Sequence, residues 1–329
     1  MGHTLEPPPM TGNSSNFDRG LTELGSGNWA WLQPDGSWGW SNSGLIVDGD
    51  EALLVDTLYD LDLTADMLAG FADAAPGSRI TTLVNTHSNG DHCNGNELVI
   101  NAEIVASKAA AAEMANESPE FMSSLLAAAP EMGVMGEFFL HCFSPFQFAG
   151  ITGAAPTTTF TGTVDRTVGD TLVELVEVGP AHTAGDVLLH VPSRRTVYTG
   201  DILFVQGHPI LWAGSIPNAI AALDRIEAWN PEVIVPGHGP VTDLDGLREV
   251  REYLTYCHDE CRQRHERGMS IEEAARDILL DRWITWSDSE RVITLVDSCY
   301  REFEGRSEPT PVTDLFASMA ALWKENHHP

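Results

Sequence analysis

The residues best suited to chemistry lie in one short stretch, from Thr86 to Asn96, which reads THSNGDHCNGN. Two imidazoles and a carboxylate, those of His87, His92 and Asp91, fall within six residues of this stretch. They can converge on one cation only if the backbone folds back sharply, which Gly90 permits. The apolar run 80–84 comes directly before the stretch. The sequence therefore predicts a metal site where a strand ends.

Four motifs in the chain resemble, in the same order, the motifs of the metallo-β-lactamase superfamily. The first is His87-Ser88-Asn89-Gly90-Asp91-His92, similar to the family's His-x-His-x-Asp-His with Asn89 in place of the second His. The others surround His182 (PAHTAGD), Asp201 (YTGD) and His238 (VPGHG). Each motif follows a β-rich run, and the resemblance covers residues 20 to 242 in rough outline.

The resemblance implies two neighbouring metal sites, each with three ligands and a shared bridging carboxylate. The implied first site has His87, Asn89 and His182, the second has Asp91, His92 and His238, and Asp201 bridges them. Because an amide oxygen is a weaker Zn²⁺ donor than an imidazole, the first site should hold its metal less tightly. We expect one or two Zn²⁺ ions, with Fe or Mn as alternatives.

This ligand set implies a hydrolase that uses a metal-bound hydroxide, with Asp91 and Asp201 as catalytic carboxylates. Aromatic and Met-rich surroundings favour an ester, lactone or thioester of an apolar acyl or aromatic substrate. The alternatives are an iron-dependent oxidoreductase of the same fold and a non-catalytic metal-binding relative.

His208 is a further candidate, since it lies in the loop that follows Asp201. A histidine there could replace the ligand that Asn89 does not supply, donate a proton to the leaving group, or be an ordinary loop residue. Its usual pKa near ~6.5 would suit the acid role with modest tuning.

The amino-acid composition limits the molecules that this protein can bind. The net charge is −30, from 48 acidic and 18 basic residues, and such a surface repels nucleic acid and anionic membranes. No 18-residue apolar run occurs, and residues 1–16 lack the apolar core of a signal peptide. We therefore expect a cytoplasmic enzyme with a small-molecule substrate, and homo-oligomerisation stays open.

The elements that position these residues indicate an α/β fold. With the resemblance, they predict an αββα sandwich with a helical insertion, at about residues 107–150, and a C-terminal helical cap. The expected divisions are a flexible arm (1–17), the metallo-β-lactamase-like domain (18–242) and a packed helical segment (243–329). The insertion is rich in Met and Phe, so it either packs against a partner or roofs a pocket.

Local patterns predict individual elements. Apolar spacing predicts helices at 61–75 and 216–229, and β-rich runs predict strands at 80–84 and 98–100. Residues 28–32 and 38–40 are predicted to pair as a hairpin around Pro34-Asp35-Gly36. The four tryptophans of that region either pack the sheet or line an apolar cleft.

Overall fold

The computed structural model describes residues 17–116 and 118–327, which form twelve strands and ten α-helices. The predicted N-terminal arm lies outside this part of the chain, apart from its last residue. Within the described ranges, no helix is both long and apolar enough to cross a lipid bilayer.

The first sheet contains the strands that lead to the metal-binding stretch. Its order is β1 (Gly20–Gly25), β2 (Asn28–Leu32), β3 (Ser43–Asp48), β4 (Glu51–Val55), β5 (Arg79–Val84), β6 (Glu103–Ser107) and β7 (Thr158–Phe160). Strands β1 to β4 are antiparallel neighbours, whereas β4 to β7 are parallel. The carboxyl ends of β4 and β5 therefore lie side by side, which brings residues 56 and 86 together.

The second sheet carries the later motifs. Its order is β12 (Val233–Val235), β11 (Thr196–Tyr198), β10 (Val187–Val191), β9 (Thr171–Glu177) and β8 (Thr163–Val168). Strands β11 and β12 are parallel, so Asp201 and His238 follow adjacent strand ends. In such sheets, ligands bind beyond the carboxyl ends of the strands, where loops converge.

Three apolar clusters separate four layers. Helix α1 (Leu61–Ala74) buries Met67 and Phe71 against the outer face of the first sheet. A second cluster, which includes Ile46 and Leu189, fills the space between the sheets. The third covers the outer face of the second sheet with the remaining helices. The predicted αββα sandwich is confirmed.

The remaining helices complete the outer layers. They are α2 (Gly90–Cys93), α3 (Lys108–Met114), α4 (Pro119–Ala128), α5 (Gly133–Phe143), α6 (Ile216–Trp229), α7 (Leu244–Glu266), α8 (Ile271–Asp277), α9 (Val292–Glu304) and α10 (Val312–His327). Helix α5, in the predicted insertion, shares the third apolar cluster with α10 of the C-terminal segment. Helix α4 buries none of its side chains. The insertion thus packs against the C-terminal helices through α5.

Two local predictions are wrong. Residues 98–100 are not a strand: a 3-10 helix occupies Asn94–Val99, and the strand begins at Glu103. The amide of Asn96 bonds to Asn85 and to the Ala154 carbonyl, which favours a compact turn over extension. Residues 38–40 do not pair with β2, whose partners are β1 and β3. Trp38 instead packs against rings of α5 and α10.

Candidate metal centre

All seven side chains that the motifs single out meet at the carboxyl ends of the strands. Asp201 lies at their middle, and its Oδ2 is 3.3 Å from the Nε2 of His182 and 3.7 Å from that of His87. The same atom is 3.4 Å from the Nε2 of His238, while Oδ1 is 3.1 Å from the Nε2 of His92. One carboxylate therefore contacts four imidazoles, as a bridging ligand would.

The predicted second site forms a compact group. Ligand atoms of Asp91, His92 and His238 all lie within 4.8 Å of one another, and the Oδ2 of Asp91 is 3.3 Å from the Nε2 of His238. A second group of this kind combines His87 and His92 with Asp201. His182 and Asn89 lie beside that second group, because the Nε2 of His182 is 3.3 Å from Asp201 and 2.9 Å from the amide nitrogen of Asn89.

The Nδ1 atoms of the four histidines all face hydrogen-bond acceptors. The Nδ1 of His92 lies 2.9 Å from Asp56, that of His182 lies 2.8 Å from the Ile210 carbonyl, and that of His238 lies 3.1 Å from the Gly36 carbonyl. The hydroxyl of Thr86 donates to Asp56, so it is free to accept from the Nδ1 of His87 at 3.0 Å. These acceptors assign the proton to Nδ1 in each ring. When a ring is neutral, its Nε2 can then offer a lone pair toward the centre.

Three of the converging atoms are buried without a hydrogen-bond partner, namely the Nε2 of His87, the Nε2 of His92 and the Oδ1 of Asp201. An unsatisfied buried polar atom costs about 1–3 kcal/mol, so a native fold keeps such atoms for a purpose. Nitrogen lone pairs and carboxylate oxygens at this spacing are the donor set that Zn²⁺ and related divalent ions bind. The residues therefore fit a metal centre.

Opposite charges in the centre strongly shift the pKa values of its residues. Burial alone would raise the pKa of Asp201, but His238, His92, His87 and His182 outweigh it and hold that pKa well below its usual range. Burial likewise lowers the pKa of His238, yet Asp201 and Asp91 raise it to about 9. The carboxylates are thus kept ionised, and their negative charge is available to a cation.

Asp56 orients two of the histidines, and the motifs did not reveal it. Its carboxylate accepts from the backbone and hydroxyl of Thr86, at 2.7 Å each, and from the Nδ1 of His92. It sits in the left-handed region, with φ 59°, directly after β4. Sequence offered one signal, an Asp that ends the strand next to the motif-bearing strand. Carboxylates behind a metal-binding histidine fix its ring and raise its basicity.

Replacing Asp56 with asparagine should weaken metal binding about 10- to 100-fold, because an amide has one acceptor oxygen and cannot accept all three hydrogen bonds from Thr86 and His92. Competition with a chromophoric chelator would measure the affinity of the purified protein. The matched control is Asp48→Asn, since Asp48 also accepts a hydrogen bond, from Thr171, outside the centre. Equal affinities in Asp56→Asn and the parent would remove Asp56 from this role.

Asn89 begins helix α2 but does not cap it with its side chain. The amide instead turns toward the Nε2 of His182. Its position matches the place where the first site would have its third ligand. The structure thus brings Asn89 to the centre together with His87 and His182.

His208 is not brought to the centre. Its Nδ1 lies 2.8 Å from the hydroxyl of Tyr253, and its ring packs against Tyr253 and Trp286. Burial, with a further contribution from Arg291, lowers its pKa to about 3. No hydrogen bond or ion pair within the described ranges joins its side chain to the seven residues. Of its three predicted roles, the geometry favours the ordinary loop residue.

Aromatic rings surround the centre. Phe204 stacks on His238, with centroids 5.0 Å apart and planes 5° from parallel, and lies 5.8 Å from the ring of His182. Trp212 donates its backbone N–H to the His182 carbonyl, and its ring is only half-buried. Trp38 lies 6.5 Å from Trp212. The neighbourhood of the centre is therefore apolar.

Two of the known proteins to which this chain is similar are alkylsulfatases. A linear primary-alkylsulfatase from Pseudomonas sp. is 24% identical over 271 residues, which is 71% of this chain and 49% of that protein. The structure of the stereoselective inverting sec-alkylsulfatase Pisa1, from Pseudomonas sp., superposes with a TM-score of 0.64 at 15% identity, over 89% of this chain and 52% of that one. The chain thus spans about half the length of the alkylsulfatases it matches.

A smaller protein matches over nearly its whole length. A metallo-beta-lactamase from Pontibacter korlensis has a TM-score of 0.50 at 19% identity, with 71% of this chain and 98% of that chain covered. At such identities the solved structures show a likeness of fold alone. The family model for the metallo-beta-lactamase superfamily, however, matches residues 36–238, a range that contains all seven residues of the centre. The chain belongs to the metallo-beta-lactamase superfamily.

Proposed function

We propose that this protein is a metal-dependent hydrolase of esters that carry an apolar alkyl or aryl group. The observation that carries the proposal is the convergence of four imidazole Nε2 atoms and two carboxylates, with three of these ligand atoms buried without a hydrogen-bond partner. Family membership supports hydrolysis, and the similarity to alkylsulfatases supports an ester as the bond that is cleaved.

The seven residues would hold the metal as two neighbouring sites. Asp91, His92 and His238 would hold the more secure ion, His87, His182 and Asn89 the weaker one, with Asp201 between them. The nitrogen and oxygen donors suit Zn²⁺, and Fe or Mn would fit the same set. When bound, such a cation would lower the pKa of water and polarise the ester group that the water attacks.

Two carboxylates of the protein would accept the proton of the attacking water and fix the positions of the imidazole rings. Asp91 is the more open of the two carboxylates, with its side chain 12% exposed against 3% for Asp201. Its Oδ2 is therefore placed to accept the proton that the attacking water loses. Asp201, enclosed by imidazoles, keeps its charge and fixes the spacing of the rings.

The surroundings favour an apolar substituent on the substrate. Trp212, which is half-buried and donates its backbone N–H to the His182 carbonyl, offers contact to an alkyl chain or a ring. Because the relatives named above are alkylsulfatases, we propose the sulfate monoester of an apolar alcohol as the first substrate to test.

The test is a panel that varies one bond at a time. Para-nitrophenyl sulfate, acetate and phosphate share a leaving group, and octyl sulfate, octyl acetate, octyl thioacetate and an octyl-substituted lactone share an apolar chain. We expect turnover of at least one ester, lost after chelation and restored by added Zn²⁺. His238→Ala protein serves as the blank. Iron in the purified protein with oxygen-dependent turnover would favour the oxidoreductase alternative instead.

Asn89→His should strengthen the weaker site. The substitution supplies an imidazole where the family pattern has one, and it removes no helix cap because the Asn89 side chain makes none. We expect the first-site affinity to rise by about 10-fold or more, since imidazole is the better Zn²⁺ donor. Calorimetric titration of the metal-free protein would measure it. Asn94→His, in the next turn of the same stretch, is the control, and an equal gain there would count against a ligand position at residue 89.

A further inference from the structure

Two separate loops must meet to form the predicted first site. His87 and Asn89 lie on the loop after β5, whereas His182 lies on the loop between β9 and β10. Nothing in the order of the chain holds these loops at a fixed separation, because the helical insertion lies between them. A backbone hydrogen bond from the N–H of Val187 to the Thr86 carbonyl joins the two loops at their strand ends. Side chains that contact both loops set the spacing of the residues beyond that bond.

Glu113, on helix α3 of the insertion, contacts both loops. Its Oε2 accepts from the hydroxyl of Ser88 at 2.9 Å, between the two ligands His87 and Asn89. Its two carboxylate oxygens lie 3.3 Å from the backbone N–H of Ala184, two residues after His182. One carboxylate thus joins the two loops of the first site.

The start of α3 makes further contacts with the loop between β9 and β10. Ser107 caps α3, and its hydroxyl donates to the Gly185 carbonyl at 2.7 Å. A Cβ added at Gly185 would lie 2.2 Å from the backbone nitrogen of Ala110, so the loop touches α3 without room for a side chain. Helix α3 is thus held against the loop between β9 and β10, and Glu113 on this helix positions the loop after β5.

We propose that Glu113 is the positioning residue of the first metal site, and that it holds His87, Asn89 and His182 at ligand spacing. The second site does not depend on it, because the ring of His92 is oriented by Asp56 and the ring of His238 by the Gly36 carbonyl. The proposal rests on the metal centre of the proposed function but is independent of which bond the enzyme cleaves.

The test is a metal titration of the metal-free chain with Zn²⁺ against a chromophoric chelator. In Glu113→Ala we expect the affinity of the weaker site to fall about 10- to 100-fold, as is typical when a partner behind a metal ligand is removed, while the tighter site is unchanged. Co²⁺ absorption spectra would show the altered ligand geometry directly. Glu120→Ala, at an exposed glutamate on α4 of the same insertion, should leave both affinities unchanged.

Two further variants separate positioning from general stability. Ser88→Ala should reproduce part of the loss, and Ser88→Ala combined with Glu113→Ala should lose less than the sum of the two. Glu113→Gln keeps one acceptor and should fall between the parent and Glu113→Ala. An unchanged affinity for every ion bound, or an equal fall at both sites, would overturn the proposal. Absence of turnover on the ester panel, with this selective loss of metal, would count against the proposed function only.

Discussion

Replacing His92 or His238 with alanine is expected to abolish turnover and to remove most of the bound metal. In the proposed centre each ring would supply an Nε2 to the tighter site, and the Nε2 atoms of His92 and His238 lie 3.1 Å and 3.4 Å from oxygens of Asp201. Loss of a ligand should cost more than the roughly 10- to 100-fold that removal of a partner behind a ligand costs. Elemental analysis of purified protein and initial rates on the best ester of the panel would measure both effects.

His190→Ala is the matched control for these variants. His190 lies on β10, pairs with Glu174 and stacks on Trp229 outside the centre. It should keep its metal content and turnover although a buried imidazole has been removed. Full metal content in His92→Ala or His238→Ala would contradict the assignment of the tighter site.

Asp201→Asn should reduce turnover more than about 100-fold and lower the metal content, while the fold survives. The reason is electrostatic: this single carboxylate contacts four imidazoles, and an amide of the same shape carries no charge to compensate two cations. Circular dichroism and the melting temperature would report the fold, and elemental analysis would report the metal.

Asp297→Asn separates loss of a ligand from loss of a buried charge. Asp297 is fully buried and pairs with Arg301 within α9, so its substitution should lower the melting temperature. Its metal content should nevertheless match that of the parent. If Asp201→Asn keeps both its metal and its turnover, Asp201 is not a bridging residue.

The sequence was sufficient to find the seven side chains that converge, because each of them lies in a short motif at a strand end. His87, Asp91 and His92 fall within six residues, and strands that run in the same direction bring His182, Asp201 and His238 to the same edge. The helices at residues 61–74 and 216–229 could be predicted for a similar reason, since their apolar spacing is local. The confirmed sandwich follows from these elements together with the family resemblance.

The supporting residues could not be predicted because their partners are distant in sequence. Asp56 acts on His92, 36 residues away, and Gly36 acts on His238, 202 residues away. An aspartate after a strand, or a glycine in a turn, is common in proteins without any functional role. Only the fold shows that these two residues contact histidines of the centre. The error at residues 98–100 has the same origin, since contacts of Asn96 with Asn85 and Ala154 decided the local shape.

The loop that holds His238 has a consequence for how the protein is made. Gly36 fixes the ring of His238, and two residues further on the indole N–H of Trp38 donates to Glu290, 252 residues away. Contacts this distant in sequence close large loops at an entropic cost and form late in folding. During synthesis, the bond between Trp38 and Glu290 can therefore form only after Glu290 has left the ribosome. The segment that carries Gly36 and Trp38 lacks this contact until the chain has been made as far as the start of helix α9.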